Sequence, residues 1–311
     1  MERRPLGSTG ERLSALCMGC WEIGGLAWGP MAAPEAVRLV QAAFDGGITT
    51  FDTAEAYGNG RSEVVLGHAL KGRRDQAFII SKTGYLIGID GAQVLFAAQP
   101  QNFSPASIEK ACEQALRRLQ TTYIDAYLLH DPPMHIVVQE EPFRALERLQ
   151  QAGKIRWWGV SANAAQATEA IRRWGAPVVE TPFNALSPDA ARVVFPPARE
   201  RGTGVLARSP FASGALLLSP HEAARLHPAD WRQGAFQQRI GPAAPVRERL
   251  ATLADRRDEP PTATAVRFVL AHPEVSTCIV GLTQPDEIAP NTSAAAPPYL
   301  SPLEVTELVG P

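Results

Sequence analysis

The stretch TTFDTAEAYGNGRSE, residues 49–63, reads as a strand that breaks into a loop and then starts a helix. Asp52 follows the strand-like Thr49-Thr50-Phe51, and Tyr57 precedes a Gly58-Asn59-Gly60 turn. A carboxylate and a phenol therefore stand where a strand gives way to its loop. Alone, the pattern is only strand, turn and helix start. Its meaning depends on how the other strands end.

Short apolar runs recur along the chain, separated by amphipathic helical patterns. Strands are expected at Ala15–Gly19, Ile48–Asp52, Ala77–Lys82, Ile124–His130, Ile155–Ser161, Val178–Glu180, Gly204–Arg208 and Thr277–Gly281. Most are continuous apolar runs, as parallel strands covered on both faces require. Between them Val37, Val40 and Phe44 recur at helical spacing, with Gly46-Gly47 as the stop. Ile108, Ala111, Ala115 and Leu119 do so after a Ser104-Pro105 cap, and Phe143, Leu146 and Leu149 form a third such face.

Eight such units predict a closed (β/α)8 TIM barrel, formed as a single domain over residues 1–311. An open doubly wound sheet would carry a G-x-G-x-x-G loop after its first strand, and GCWEIGG (19–25) does not fit. The opening RRPLGSTGERLSALCMG (3–19) reads as a hairpin turning at Gly7-Ser8-Thr9-Gly10 and capping the barrel bottom. Two long strand-to-helix connections, residues 83–103 and 209–275, are expected at the C-terminal face, the second containing a helix-like Pro245–Arg257.

Hydrophobic residues make up 45% of the chain and charged residues 20%, which provides ample core. A net charge of −2 offers no basic surface for nucleic acid or an anionic membrane. No apolar run approaches the roughly 18 residues of a membrane span. The start, Met-Glu-Arg-Arg-Pro, lacks the apolar core of a signal peptide, so a cytoplasmic location is expected. Cys17 and Cys20 have C-x-x-C spacing, but no second pair of cysteines or close histidine pair completes a zinc site. With Cys112 and Cys278 they are expected to be ordinary buried thiols, and no metal is called for.

Polar residues at the ends of successive strands form a pattern. The second strand ends in Asp52, with Tyr57 in the next loop. The third ends in Lys82, within FIISKTG, and the fourth in His130, within DAYLLHDP. A barrel brings neighbouring strand ends to one mouth. There Asp52 would pair with Lys82, and Lys82 would favour the phenolate, lowering Tyr57 below its ordinary value of about 10. Tyr57 would serve as a general acid toward a carbonyl oxygen, and His130 would hydrogen-bond and orient that oxygen.

GITTFDTAEAYGNGRSEVVLGHAL (47–70), SKTG (81–84), YLLHDP (127–132), LQQAGKIRWWGVS (149–161), SPFASGALL (209–217) and CIVGLTQPDEIAPN (278–291) follow one another in the order of a known family. On these motifs the sequence resembles the aldo-keto reductases over nearly its whole length. The resemblance implies hydride transfer between NAD(P)H and a carbonyl or alcohol substrate (an aldehyde, ketone or sugar), with Asp52, Tyr57, Lys82 and His130 as the catalytic tetrad. It places Ser161, Asn163, Glu180, Arg208, Ser209, Phe211, Gly281, Thr283, Glu287 and Asn291 at the cofactor. The aromatic loop residues Trp21, Trp28, Tyr85 and Phe103 are expected to line the substrate pocket, where they suit a sugar or an apolar carbonyl alike.

The chain departs from the family pattern in four places. Ala162 stands at the usual asparagine, with Asn163 one step later. Glu180 replaces a glutamine that binds the nicotinamide carboxamide, and a carboxylate accepts there but cannot donate. Arg208 stands where many members stack a tyrosine. The segment from Gly281 to Asn291 has no basic residue and holds Asp286 and Glu287, which suits NAD(H) at least as well as NADP(H), whose extra phosphate wants cations. That loss, with ERLSALCMGCWEIGG (11–25), also resembles the family's NAD-linked L-galactose or aldose 1-dehydrogenases. A catalytically weak regulatory protein on the same fold is an alternative. A Schiff-base lyase at Lys82 is another, against which Asp52 would keep the lysine protonated. The partner expected is a small molecule, with the oligomeric state open.

Overall fold

A computed structural model describes residues 1–25, 27–87, 100–233 and 236–310. The antiparallel hairpin β1 (Arg3–Pro5) and β2 (Arg12–Ser14) comes first. Eight parallel strands follow: β3 (Leu16–Gly19), β4 (Thr50–Asp52), β5 (Phe78–Thr83), β6 (Ile124–His130), β7 (Ile155–Ser161), β8 (Val178–Pro182), β9 (Gly204–Arg208) and β10 (Val275–Gly281). They close in chain order, with β10 pairing both β9 and β3. Helices connect them, so the (β/α)8 barrel with an N-terminal hairpin is the architecture of this chain.

Strand alternation determines what fills the barrel. Successive side chains face opposite sides of a sheet. Cys17, Phe78, Ile80, Ala126, Leu128, Val178, Leu206 and Ile279 share one buried interior cluster with Leu6 and Leu13 of the hairpin region. The intervening Phe51, Ile79, Tyr127, Leu129, Val160, Val179 and Val205 pack outward against the helices. Two residues beyond Ile80 on the inward series comes Lys82; beyond Leu128 comes His130, beyond Val178 Glu180, and beyond Leu206 Arg208. The period that fills the floor with hydrocarbon thus raises a polar ring at the mouth. Register aligns His130, Ser161 and Glu180 across β6, β7 and β8.

The hairpin plugs the opposite end. Leu6 is fully buried, and a Cβ on Gly204 would lie 2.3 Å from Leu6 Cδ1, so glycine alone leaves room for the plug at the start of β9.

Three expected boundaries, β6, β7 and β9, match the observed strands, while β5 reaches Thr83 and β8 reaches Pro182. The helix expected at Pro245–Arg257 instead spans Gln237–Arg256 with Pro242 and Pro245 inside it. Proline at a first turn is a common start signal, and that signal misplaced the boundary. In the expected loop 83–103, residues 88–99 lie outside the described residues. The base of that loop is tied by Leu86 N–H to Pro100 O at 2.9 Å and Asn102 N–H to Gly84 O at 2.7 Å. Among the described residues no helix is long and apolar enough to cross a membrane.

Candidate active site

Local backbone chemistry sets each polar side chain at the mouth. After β4, Thr53 N–H donates to Ile80 O at 2.8 Å and Tyr57 N–H to Ala54 O at 3.1 Å, curling the chain back over the barrel. Gly58 takes φ +64°, and a Cβ there would lie 2.3 Å from Gly24 O, so this turn requires glycine. Ser62 Oγ donates to Cys20 O at 2.6 Å and pins the start of the next helix against the end of β3. After β6, Asp131 adopts φ +47° and donates its N–H to Ser161 O at 2.7 Å, which ends the strand immediately past His130.

Lys82 is fully buried and lies at the centre of the group. Its ammonium donates to Asp52 Oδ1 at 2.5 Å, to Thr53 O at 3.2 Å and to the Tyr57 hydroxyl at 3.1 Å. The His130 ring stands edge-on to Tyr57, with centroids 5.8 Å apart at 84°. The four side chains expected at the strand ends therefore meet at one place.

A second carboxylate belongs to the same group. Glu180 Oε2 lies 3.6 Å from Lys82 Nζ, while its Oε1 accepts from Ser161 Oγ at 2.9 Å. Arg208 Nε lies 3.8 Å from Glu180 Oε1, and Arg208 Nη2 lies 3.5 Å from Asp131 Oδ1. Glu180 was expected only as a cofactor contact. Its reach to Lys82 was not legible, because the pairing depends on strands that are not neighbours in the barrel.

The electrostatics correct one expectation. Tyr57 is not lowered toward phenolate; its phenol is held well above its ordinary value. Burial penalises the anion most. Lys82 pulls the other way, and the charges of Asp52 and Glu180 offset that pull. Burial also opposes the Lys82 ammonium, yet Asp52, Glu180 and Tyr57 outweigh it and keep the lysine charged. Burial, followed by the charge of Glu180, pushes Asp52 up. His130 is driven down by burial, then by Lys82 and Arg208, so it is a neutral imidazole at physiological pH. The site thus presents a protonated phenol, backed by an ammonium, beside a neutral ring.

A wall of indoles faces this donor. Trp21 stacks on Tyr57 at 6.1 Å and on Trp231 at 5.7 Å, and Trp28 meets Trp21 edge-on at 5.4 Å. Trp231, absent from the expected substrate residues, comes from the long connection after β9. Its backbone N–H donates to Ala27 O at 2.8 Å, and Arg232 lies 4.2 Å over Trp28 while paired with Asp230. The signal was there, an aromatic residue in a long loop at the C-terminal face. Tyr85 stands edge-on to His130 at 5.0 Å and donates to Asp131 Oδ2 at 3.4 Å. Phe103 lies deeper, in the main core, where its ring closes over Gly84.

The other cofactor candidates form a line around the same rim. Ser161 and Glu180 are buried and hydrogen-bonded to each other, whereas Asn163 is exposed at the N-cap of the helix Ala164–Trp174. Beyond Arg208, Ser209 takes φ +60°, with Ala212 and Ser213 also left-handed around Phe211, a strained loop of the kind held at functional sites. Past Gly281, Glu287 Oε2 accepts from Thr283 N–H at 2.6 Å and from Gln284 N–H at 2.9 Å. Asn291 donates to Glu287 O at 2.7 Å, leaving its Oδ1 buried without a hydrogen-bond partner among the described residues.

Glu180 Oε2 and Arg208 Nε are likewise buried without a hydrogen-bond partner among the described residues, an acceptor and a donor in close company. A primary carboxamide, with one NH2 donor and one carbonyl acceptor, complements them, so the residues present fit a nicotinamide. Cys17 and Cys20 are buried free thiols that burial pushes up, and among the described residues no cluster of metal-ligating side chains forms.

Known proteins share this frame. The chain is 33% identical over 220 residues to aldo-keto reductase YhdN of Bacillus subtilis, covering 70% of this chain and 64% of that protein. It is 28% identical over 301 residues to L-galactose dehydrogenase of Arabidopsis thaliana, covering 94% of this chain and 88% of that one. It superposes on the solved aldo/keto reductase from Klebsiella pneumoniae, in complex with NADP and acetate, with a TM-score of 0.74 at 25% identity, covering 99% of this chain and 94% of that chain. The model of the Aldo/keto reductase family matches residues 15–309, and the chain belongs to that family.

Proposed function

We propose that this protein is an NAD(P)(H)-dependent oxidoreductase that interconverts a carbonyl group and an alcohol, with Tyr57 as the proton donor and acceptor. The observation that carries the reading is the buried chain Asp52–Lys82–Tyr57, with links of 2.5 and 3.1 Å and a neutral His130 edge-on to the phenol. The bound nicotinamide would supply or take the hydride. Ser161, Glu180 and Arg208 would hold its carboxamide, and the loops after β9 and β10 would hold the rest. This chain's own residues manage the proton. Tyr57 gives its hydroxyl proton to the oxygen of a carbonyl seated between it and His130, and Lys82 stabilises the phenolate left behind. His130 orients that oxygen through a ring N–H. The Trp21, Trp28 and Trp231 wall covers the substrate and excludes water.

NAD(H) serves at least as well as NADP(H) in this reading. Glu287 already occupies the backbone donors of Thr283 and Gln284, and no basic residue lies between Gly281 and Asn291 to meet a 2′-phosphate. A sugar dehydrogenase is the second reading. Indole faces suit sugar rings, and the Nε1 atoms of Trp28 and Trp231 are buried without a hydrogen-bond partner among the described residues, ready to donate to hydroxyls. Aldoses deuterated at C1, run with NAD+ or NADP+, test the second reading by the arrival of deuterium on the nicotinamide. A panel of aldehydes and ketones, run with NAD(P)H deuterated at the hydride position, tests the first. Deuterium should reach the product carbon, with NADH at least as effective as NADPH. Product without deuterium would refute hydride transfer, and a tenfold preference for NADPH would refute the cofactor assignment.

A further inference from the structure

Lys82 is one cation shared by two buried carboxylates. Asp52 reaches it from β4 at 2.5 Å and Glu180 from β8 at 3.6 Å, and neither carboxylate is more than 3% exposed. A single counter-ion would suffice to hold the ammonium beside Tyr57. We propose that Glu180 is a positioning residue that shares Lys82 with Asp52, so that the ammonium lends less of its charge to the Tyr57 hydroxyl and Tyr57 stays a proton donor into alkaline conditions.

Among the described residues, each charged element packed around Tyr57 bears on this. Asp52 comes from β4, Lys82 from β5, His130 and Asp131 from the end of β6, Glu180 from β8 and Arg208 from β9. His130 is neutral, and Arg208 lies between Glu180 and Asp131, with opposite charges on both sides. Among the described residues Lys82 is therefore the cation that most favours phenolate, and Glu180, 3.6 Å from that ammonium, is a charge that opposes it. Burial, Asp52 and Glu180 all push the phenol up, in keeping with that arrangement. The sign follows: deleting the Glu180 charge lets Tyr57 ionise at lower pH. A neutral glutamine keeps the shape and the Ser161 contact while removing the charge. Aspartate keeps the charge but withdraws it by one methylene.

The inference rests on Tyr57 as the proton donor, and the test separates the two claims. The reduction of para-nitrobenzaldehyde by NADH and by NADPH is followed from neutral to alkaline pH in the wild type, Glu180→Gln, Glu180→Asp and Tyr57→Phe. The alkaline fall in kcat/KM should move down by about one pH unit in Glu180→Gln and by less in Glu180→Asp. The cofactor-free proteins give a second readout, the ultraviolet difference signal of tyrosinate, taken against Tyr57→Phe. It should appear at lower pH in Glu180→Gln than in the wild type. Thermal unfolding checks each fold, and if Glu180→Gln does not fold, the downward shift in Glu180→Asp decides. A fall that stays in place or moves upward overturns the role of Glu180 alone. An alkaline fall that persists in Tyr57→Phe overturns both claims.

Discussion

Tyr57 sits between an ammonium that favours its anion and a buried setting that penalises it. Proximity to Lys82 alone predicted a lowered phenol, but burial comes first and the carboxylates of Asp52 and Glu180 offset the lysine. The result suits the proposed donor better than a base, since the proton would still be present when a carbonyl arrived. Lys82 also has a structural duty. Replacing it with methionine leaves Asp52 and Glu180 buried with no cation between them, and breaking a buried pair on one side costs about 3–5 kcal/mol. Asp52→Asn costs less, because Glu180 remains within 3.6 Å of the ammonium. Urea denaturation at neutral pH checks the order, and equal losses in the two variants would count against Glu180 as a second counter-ion.

At the scale of elements, the strands carried most of the legible information. Continuous apolar runs ending in Asp52, Lys82 and His130 already implied a common mouth, because β4, β5 and β6 are neighbours and their ends converge. Contacts across the barrel were hidden. Lys82 and Glu180 are far apart in sequence and meet only through closure, and Trp231 joins Trp21 only because the connection after β9 folds back onto residue Ala27. Turn chemistry read well for the hairpin, where Gly7 and Gly10 both take positive φ. Proline read poorly in Gln237–Arg256, where it lies inside the helix. The hairpin makes its own prediction. Leu6 is fully buried in the barrel floor, so Leu6→Ala leaves a cavity costing about 2–5 kcal/mol. A lowered urea midpoint with an unchanged slope shows this, and an unchanged midpoint would mean the floor does not depend on the plug.

At the scale of the molecule, the site exists only where the barrel closes. Asp52, Lys82, His130, Glu180 and Arg208 come from five strands, and none forms the site with its sequence neighbours alone. Apolar layers below and the tryptophans above bury the group, which would strengthen the lysine's hold on a phenolate in the proposed reaction. The most direct measurement of this account is the turnover of Tyr57→Phe for carbonyl reduction, with nicotinamide binding followed separately by fluorescence titration. The variant should bind the cofactor as the wild type does, while kcat falls by about 10²–10⁴-fold. Turnover within tenfold of the wild type would contradict the assignment of Tyr57 as the proton donor.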